Sequence, residues 1–239
     1  MKPHLVLLPG MLCDEAYYAS QLTDLRKVAT ISIASYPRID SISAMADVVL
    51  RDAPDSFAVA GHSMGGRVAQ EVIARVPHRI TGIGLFGTDY CGFRDNEERM
   101  REESRRLEWL ALVDSKGFRH FAEQWAPLLV APGRHHDGAL LASIAAMAER
   151  LGRAGLDAHC RAGLSRGDYT DLLPTIAVPA LVVTGSEDTL RPPALHRDIA
   201  RRIPNARLAI IEGAGHMSSM EDPVAVTAHM VSWLNGLEP

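Results

Sequence analysis

The segment that most constrains this chain is Gly61-His62-Ser63-Met64-Gly65, which directly follows the β-prone run Ser56-Phe57-Ala58-Val59-Ala60. After it, apolar residues recur at helical spacing until Pro77. A serine between two glycines at a strand-to-helix junction implies a turn so tight that a side chain at either glycine would collide with its neighbours. Such a turn presents the hydroxyl to an approaching base, which makes Ser63 a candidate nucleophile. Three fixed residues in five are a weak signal alone. The strand and helix on either side are the context that the pattern requires. The bland reading, a βα turn with an idle serine, stands or falls with partners elsewhere in the chain.

Composition narrows the classes. The chain has 239 residues, enough for one large domain or a core with an insertion. Its 47% hydrophobic and 23% charged residues are ordinary for a globular protein, and its net charge of −4 argues against a nucleic-acid surface. No apolar stretch is long enough for a membrane span. The first residues run into the short strand pattern Leu5-Val6-Leu7-Leu8 without a signal-peptide apolar region or a small-residue cleavage site, so a cytoplasmic protein is expected. Cys13, Cys91 and Cys160 are odd in number and widely spaced. They read as reduced thiols, neither a disulfide framework nor a zinc site, with Cys13 close enough to a loop to be reached.

Strand patterns fall at 4–8, 28–33, 56–60, 80–86, 180–184 and 207–211. Helical patterns fall at 14–27, 42–53, 64–75, 193–202 and 223–235. This alternation predicts an α/β fold with a mostly parallel sheet of about six strands and helices on both faces. Right-handed crossovers then gather the strand C-terminal ends, where ligands bind, at one edge. Between Cys91 and Leu173 the alternation stops, and helices are expected at 95–113, 115–124, 137–151 and 156–164, with turns at Pro127, Pro132-Gly133 and Gly152. The expected organisation is a core of 1–92 and 174–239 with a helical cap, 93–173, inserted over the open end of the sheet.

A serine hydroxyl needs a base within hydrogen-bonding reach and a third group to orient that base. Two downstream loops offer them. Asp188 follows the strand Leu181-Val182-Val183, and His216 follows Leu208-Ala209-Ile210-Ile211 through the small residues Gly213-Ala214-Gly215. The order is Ser63, Asp188, His216.

With these pieces in place the chain resembles the α/β-hydrolase superfamily over nearly its whole length. It is most similar to small carboxylesterases, enol-lactone hydrolases and their non-haem haloperoxidase relatives. The resemblance rests on Leu8-Pro9-Gly10-Met11-Leu12, Gly61-His62-Ser63-Met64-Gly65-Gly66, Gly185-Ser186-Glu187-Asp188 and Gly213-Ala214-Gly215-His216. It implies an oxyanion hole made by the backbone N–H groups of Met11 and Met64. The family commonly has His-Gly-x in the first of these loops. Here Pro9 takes the histidine's place, which costs no donor at Met11. The resemblance also implies about six strands rather than the eight of larger relatives.

The reading that follows is a serine carboxylesterase acting on a small or medium ester or lactone through an acyl-enzyme, with no cofactor, no metal, no nucleic-acid partner and an undetermined oligomeric state. Two alternatives keep the same fold: a lyase or C–C bond hydrolase, and a ligand sensor with an intact triad. Lyases of this fold that depend on a lysine are disfavoured, since only Lys2, Lys27 and Lys116 are present. Several residues compete for roles. Asp89 also follows a strand end and rivals Asp188, its plainer reading being a helix cap or cap hinge. Glu187 is expected to point away and His62 to be a structural hydrogen-bonding residue. His135-His136-Asp137 reads as a helix start rather than a metal site. His159, His196 and His229 read as helix-surface or cap residues. Met11, Met64 and Met217 are expected to gather at the site, or else to fill the core. Arg105, Arg153 and Arg161 read as unpaired surface arginines, with contact to an acidic substrate group as the alternative.

Overall fold

The computed structural model describes residues 2–237; Met1, Glu238 and Pro239, at the outer ends of the two expected core segments, lie outside the described residues. Six strands, β1 (His4–Leu8), β2 (Thr30–Ile33), β3 (Phe57–His62), β4 (Ile80–Phe86), β5 (Ala180–Gly185) and β6 (Ala206–Ile211), form one sheet in the order β2-β1-β3-β4-β5-β6. Every pairing is parallel, as the alternation of strand and helix patterns predicted. β3 and β5 are buried along their full length, which explains their continuous apolar character.

Side chains alternate between two packed faces. Leu5, Leu7, Ala58 and Ala60 face Leu25 of α1 (Leu22–Val28) and Val226, Met230 and Trp233 of α9 (Pro223–Leu234). Val6, Leu8, Phe57 and Val59 face Met45 and Val49 of α2 (Ile42–Asp52), Val68 and Val72 of α3 (Met64–Arg75) and Ile199 of α7 (Pro193–Arg202). The chain runs from β1 out to β2 and then back across to β3, so the crevice between the β1 and β3 ends is a topological switch point.

Between β4 and β5 lie α4 (Asn96–Lys116), α5 (Phe118–Trp125) and α6 (Gly138–Leu164). Trp109, Phe118, Phe121 and Trp125 form a chain of ring contacts that joins α4 to α5. Asp95 and Asp137 cap the first turns of α4 and α6 through Glu98 N and Leu140 N. The expected third and fourth helices of this segment form one element broken at Gly152, whose φ of 63° and ψ of −166° are not helical. The expected helix at 115–124 begins instead at Phe118, because Gly117 at φ 87° ends α4.

The expected continuous helix at 14–27 is two pieces, a 3-10 turn at Glu15–Tyr18 and then α1. Consecutive Tyr17 and Tyr18 are both buried, each fixed by a contact with the β1 and β3 strand ends. Tyr18 donates its hydroxyl hydrogen to Leu8 O, and Tyr17 stacks on His62 at 4.1 Å between centroids. The expected start of β2 at Val28 is likewise corrected, since Val28 closes α1 and pairing begins at Thr30.

Candidate active site

Ser63 has φ 51° and ψ −113°, one of two non-glycine residues with positive φ among the described residues. That conformation is strained and is held from both sides. Ser63 N–H donates to Phe86 O at 2.8 Å, and Thr88 Oγ1 donates to Ser63 O at 2.7 Å. The flanking glycines are sterically required. A Cβ on Gly61 would lie 2.1 Å from Gly65 O, and one on Gly65 would lie 2.1 Å from Leu8 O.

The three side chains that the sequence singled out meet. His216 Nε2 lies 3.0 Å from Ser63 Oγ, and His216 Nδ1 lies 2.8 Å from Asp188 Oδ2. A carboxylate accepts only, so Nδ1 carries the hydrogen and Nε2 is free to accept from the serine hydroxyl. Asp188 is buried, and its Oδ1 accepts from Leu190 N and Arg191 N at 2.9 and 2.8 Å. Burial opposes ionisation of Asp188, yet the charge and hydrogen bond of His216 and the Arg191 N–H bring its carboxyl below the ordinary range.

His216 is fixed by His62, expected from the sequence to be a structural hydrogen-bonding residue, and by Glu221, which the sequence did not expose. His62 Nε2–H donates to His216 O at 3.0 Å. Glu221, on the short α8 (Ser218–Glu221), accepts backbone N–H bonds from Ala131 at 2.8 Å, Gly215 at 2.9 Å and Met217 at 3.1 Å. One buried carboxylate therefore ties the His216 loop to the segment that follows α5. Burial nevertheless raises its pKa above the ordinary glutamate value, against the pull of those N–H groups.

The loop after β1 is held by a second set. Tyr36 donates its hydroxyl hydrogen to Pro9 O at 2.7 Å. His159 Nδ1 accepts Leu12 N–H at 3.1 Å, and its Nε2 hydrogen bonds Tyr36 O at 3.2 Å. Leu12 is the other positive-φ residue, at 54°. The adjacent Met11 N–H and the Met64 N–H at the head of α3 have no acceptor among the described residues. Met11 and Met64 both line a small chamber beside Ser63, and Met11 and Met217 line the larger cleft, so the three methionines do gather.

His159 and His196 depart from expectation. Neither is on the surface: they are 1% and 0% exposed, while His229 is exposed on α9. His196 Nε2 accepts Thr88 N–H at 3.1 Å, and burial brings its pKa down to about 4. Asp89 is neither a helix cap nor the partner of His216; it is ion-paired with Arg67 and Arg191. Glu187 is exposed, as anticipated. Arg105, Arg153 and Arg161 are not unpaired, since they meet Glu102, Asp114 and Asp157 respectively. Cys13 is buried, and burial raises its thiol to about 12, so it is inert at neutral pH. His135 and His136 are exposed, and no group of three or more potential metal ligands occurs among the described residues.

A cleft of about 200 Å³ opens onto Ser63 and His216, walled by Met217, Trp109, Trp125 and Leu129. The arrangement can take a proton from Ser63, hold the resulting imidazolium against Asp188, and direct the oxygen into a cleft lined by both apolar and charged side chains.

With that geometry in view, the sequence model of the alpha/beta hydrolase family matches residues 5–229. The chain belongs to the alpha/beta hydrolase family. This hydrolase is 30% identical over 243 aligned positions to a pimeloyl-[acyl-carrier protein] methyl ester esterase of Aromatoleum aromaticum, covering 93% of this chain and 94% of that protein. Among solved structures it is similar to a thermophilic esterase from Thermogutta terrifontis with malate bound, at TM-score 0.84 and 25% identity over 98% of this chain and 90% of that one. The enol-lactonase from Burkholderia xenovorans LB400 shares the fold at TM-score 0.82 and 24% identity, over 98% of this hydrolase and 92% of that chain. No helix among its described residues is long and apolar enough to cross a membrane.

Proposed function

We propose that this protein is a serine hydrolase that cleaves a carboxylic ester or lactone through an acyl-enzyme. The observation that carries the reading is the continuous hydrogen-bonded line Ser63 Oγ–His216–Asp188, at 3.0 and 2.8 Å, at the mouth of the cleft. Esterase names among its relatives support the same reaction class.

Ser63 Oγ attacks the acyl carbon while its proton passes to His216 Nε2. Asp188 offsets the charge on the imidazolium and keeps its tautomer. The tetrahedral oxyanion accepts hydrogen bonds from Met11 N–H and Met64 N–H, donors that need no reorganisation. Collapse breaks the acyl C–O bond, and His216 returns the proton to the leaving alcohol. Water then gives a proton to His216 and attacks the acyl carbon, releasing the acid and regenerating Ser63. No cofactor enters this scheme. The segment 93–173 acts as a cap whose Trp109 and Trp125 wall the cleft, and the cleft's volume of about 200 Å³ suits a small or medium substrate.

The test is turnover of p-nitrophenyl acetate and butyrate. Multiple turnovers that fall by at least about a thousandfold in Ser63→Ala support the proposal. Equal rates in the two proteins overturn it. A single stoichiometric release would assign the protein to ligand sensing instead.

A further inference from the structure

Ser63 also lines a second, smaller chamber of about 70 Å³ that is rich in arginines. Arg67 of α3, Arg106 of α4, Arg166 just past α6 and Arg191 beside Asp188 line it, with Asp89 as its one carboxylate. Arg106 and Arg191 are shared with the large cleft, where Arg105 and Glu102 join them. With Asp188 behind His216 included, five arginines face three carboxylates around the nucleophile, an excess of two positive charges in a chain whose net charge is −4. Such a local inversion of sign is what an anion-binding site requires.

The surplus is only partly consumed by internal contacts, since Arg106 Nη1 donates to Cys160 O at 2.6 Å and Arg67 Nη2 to Cys91 O at 3.0 Å. Asp89 is shared between Arg67 and Arg191, and Glu102 between Arg105 and Arg106. Arg166 has no ion-pair partner among the described residues. It lies over the Phe93 ring at 3.5 Å and makes one hydrogen bond, at 3.5 Å, to Gly163 O. The Nε atoms of Arg106 and Arg166 are buried with no acceptor among the described residues. The nearby carboxylates Glu98 and Asp168 do not line the chamber; they hold Arg94 and the N–H groups of Gly92 and Thr170. Burial, with Arg191 and Arg166 as like-charged neighbours, brings Arg67 down to about 10, so it stays charged at neutral pH while opposing its neighbours. The half-buried Arg166 without an ion pair and the unsatisfied Nε of Arg106 are costly unless a ligand completes their hydrogen bonds.

Ser63 lines both chambers, and Met11 and Met64, the donors assigned to the oxyanion, line the cationic one. A substrate with its carbonyl at Ser63 can therefore place one arm among the arginines and the other between Trp109 and Trp125. Planar guanidiniums bind a carboxylate in bidentate fashion. Resting on the ester-hydrolase reading above, we infer that the native substrate is an anionic ester or lactone carrying a carboxylate a short distance from the scissile bond, held by Arg67, Arg106, Arg166 and Arg191. Arg166 and Arg106 are the specificity-determining residues.

The experiment compares charged esters with neutral isosteres, in which a branched methyl pair replaces the carboxylate, by following acid release in a pH-stat. Monoethyl succinate against ethyl isocaproate places the charge in the acyl half; O-acetylglycolate against isobutyl acetate places it in the alcohol half. The inference expects kcat/KM for at least one charged ester to exceed its isostere by about tenfold or more at low salt, with the ratio falling as salt is added. Arg166→Gln is expected to lower that ratio about tenfold, Arg166→Lys to restore part of it, and Arg119→Gln, an exposed control on α5, to leave it unchanged. If Arg166→Gln does not fold, Arg191→Gln serves, because its backbone N–H to Asp188 is retained. Neutral esters preferred in both pairs would overturn the inference while leaving the hydrolase reading intact. If no ester is turned over, the hydrolase reading falls, and calorimetry with succinate decides the subsite. Succinate binding that Arg166→Gln abolishes supports it; no binding, or binding that the variant leaves unaltered, ends it.

Discussion

Replacing Glu221 by glutamine should destabilise the protein and slow it together, because one carboxylate holds two segments of the site. Its Oε2 accepts from Ala131 N at 2.8 Å and Gly215 N at 2.9 Å, while its Oε1 accepts from Gly215 N at 3.0 Å and Met217 N at 3.1 Å. A glutamine keeps one accepting oxygen and turns an NH₂ toward the donors on the other side. At least one buried N–H then loses a charge-assisted bond, a loss of about 1.5–3 kcal/mol, and the remaining bonds weaken to neutral strength. Burying a carboxylate has its own cost, recorded in the raised pKa of Glu221, and the neutral amide recovers part of it. The expected net loss is about 2–3 kcal/mol, read as a lower urea midpoint at an unchanged m-value. Gly215 and Met217 flank His216, whose ring must stay near 3.0 Å from Ser63 Oγ. Loosening them should lower kcat by about tenfold to a hundredfold with a smaller change in KM. A midpoint shift worth less than about 0.5 kcal/mol together with an unaltered kcat would refute the assignment of Glu221 as the residue that positions this loop.

Three further outcomes follow from the same contacts. His159→Phe removes the acceptor of Leu12 N–H, so stability should drop by about 1–3 kcal/mol and kcat by about tenfold as the Met11 loop relaxes; wild-type kcat in the folded variant would contradict this. His196 is buried and neutral with a pKa of about 4, below its unfolded value near 6.5, so the unfolded state binds more protons between those two values. Its contribution is therefore complete above about pH 6.5 and declines by about 3 kcal/mol toward pH 4, with His62 and His159 acting in the same direction; urea midpoints that stay flat over this range would oppose it. Gly65→Ala places a methyl 2.1 Å from Leu8 O and should cost more than about 3 kcal/mol, whereas Gly133→Ala, with open space around it, should be tolerated in the same denaturation assay.

What could be read from the sequence was set by local physics. Continuous apolar strands, a glycine-flanked serine and two short loops past strand ends lie within a few residues of their own signals. Ser63, Asp188 and His216 could be named from them, and the structure brings those three side chains into contact. The helix break at Gly152 was legible because no side chain competes with its turn. His159, His196 and Glu221 were not legible as supports. Their partners Leu12, Thr88 and Ala131 lie 147, 108 and 90 positions away. A polar residue on an otherwise ordinary helix carries no local mark of such a partner. The split of the expected helix at 14–27 was missed for a related reason. Tyr17 and Tyr18 are drawn in by His62 and Leu8 O, and tertiary contacts of that kind override helical periodicity. The paired state of Asp89 was hidden because Arg67 and Arg191 come from separate elements.

The account turns on Ser63 being the atom that becomes acylated. The direct measurement is intact-protein and peptide mass spectrometry after rapid acid quench of the enzyme with p-nitrophenyl butyrate. The account predicts one butyryl group per chain, located on Ser63, in the wild type and, formed far more slowly because acylation loses its base, in His216→Gln. Turnover without any acyl adduct on Ser63 in either protein, or an adduct on a different residue, would contradict it.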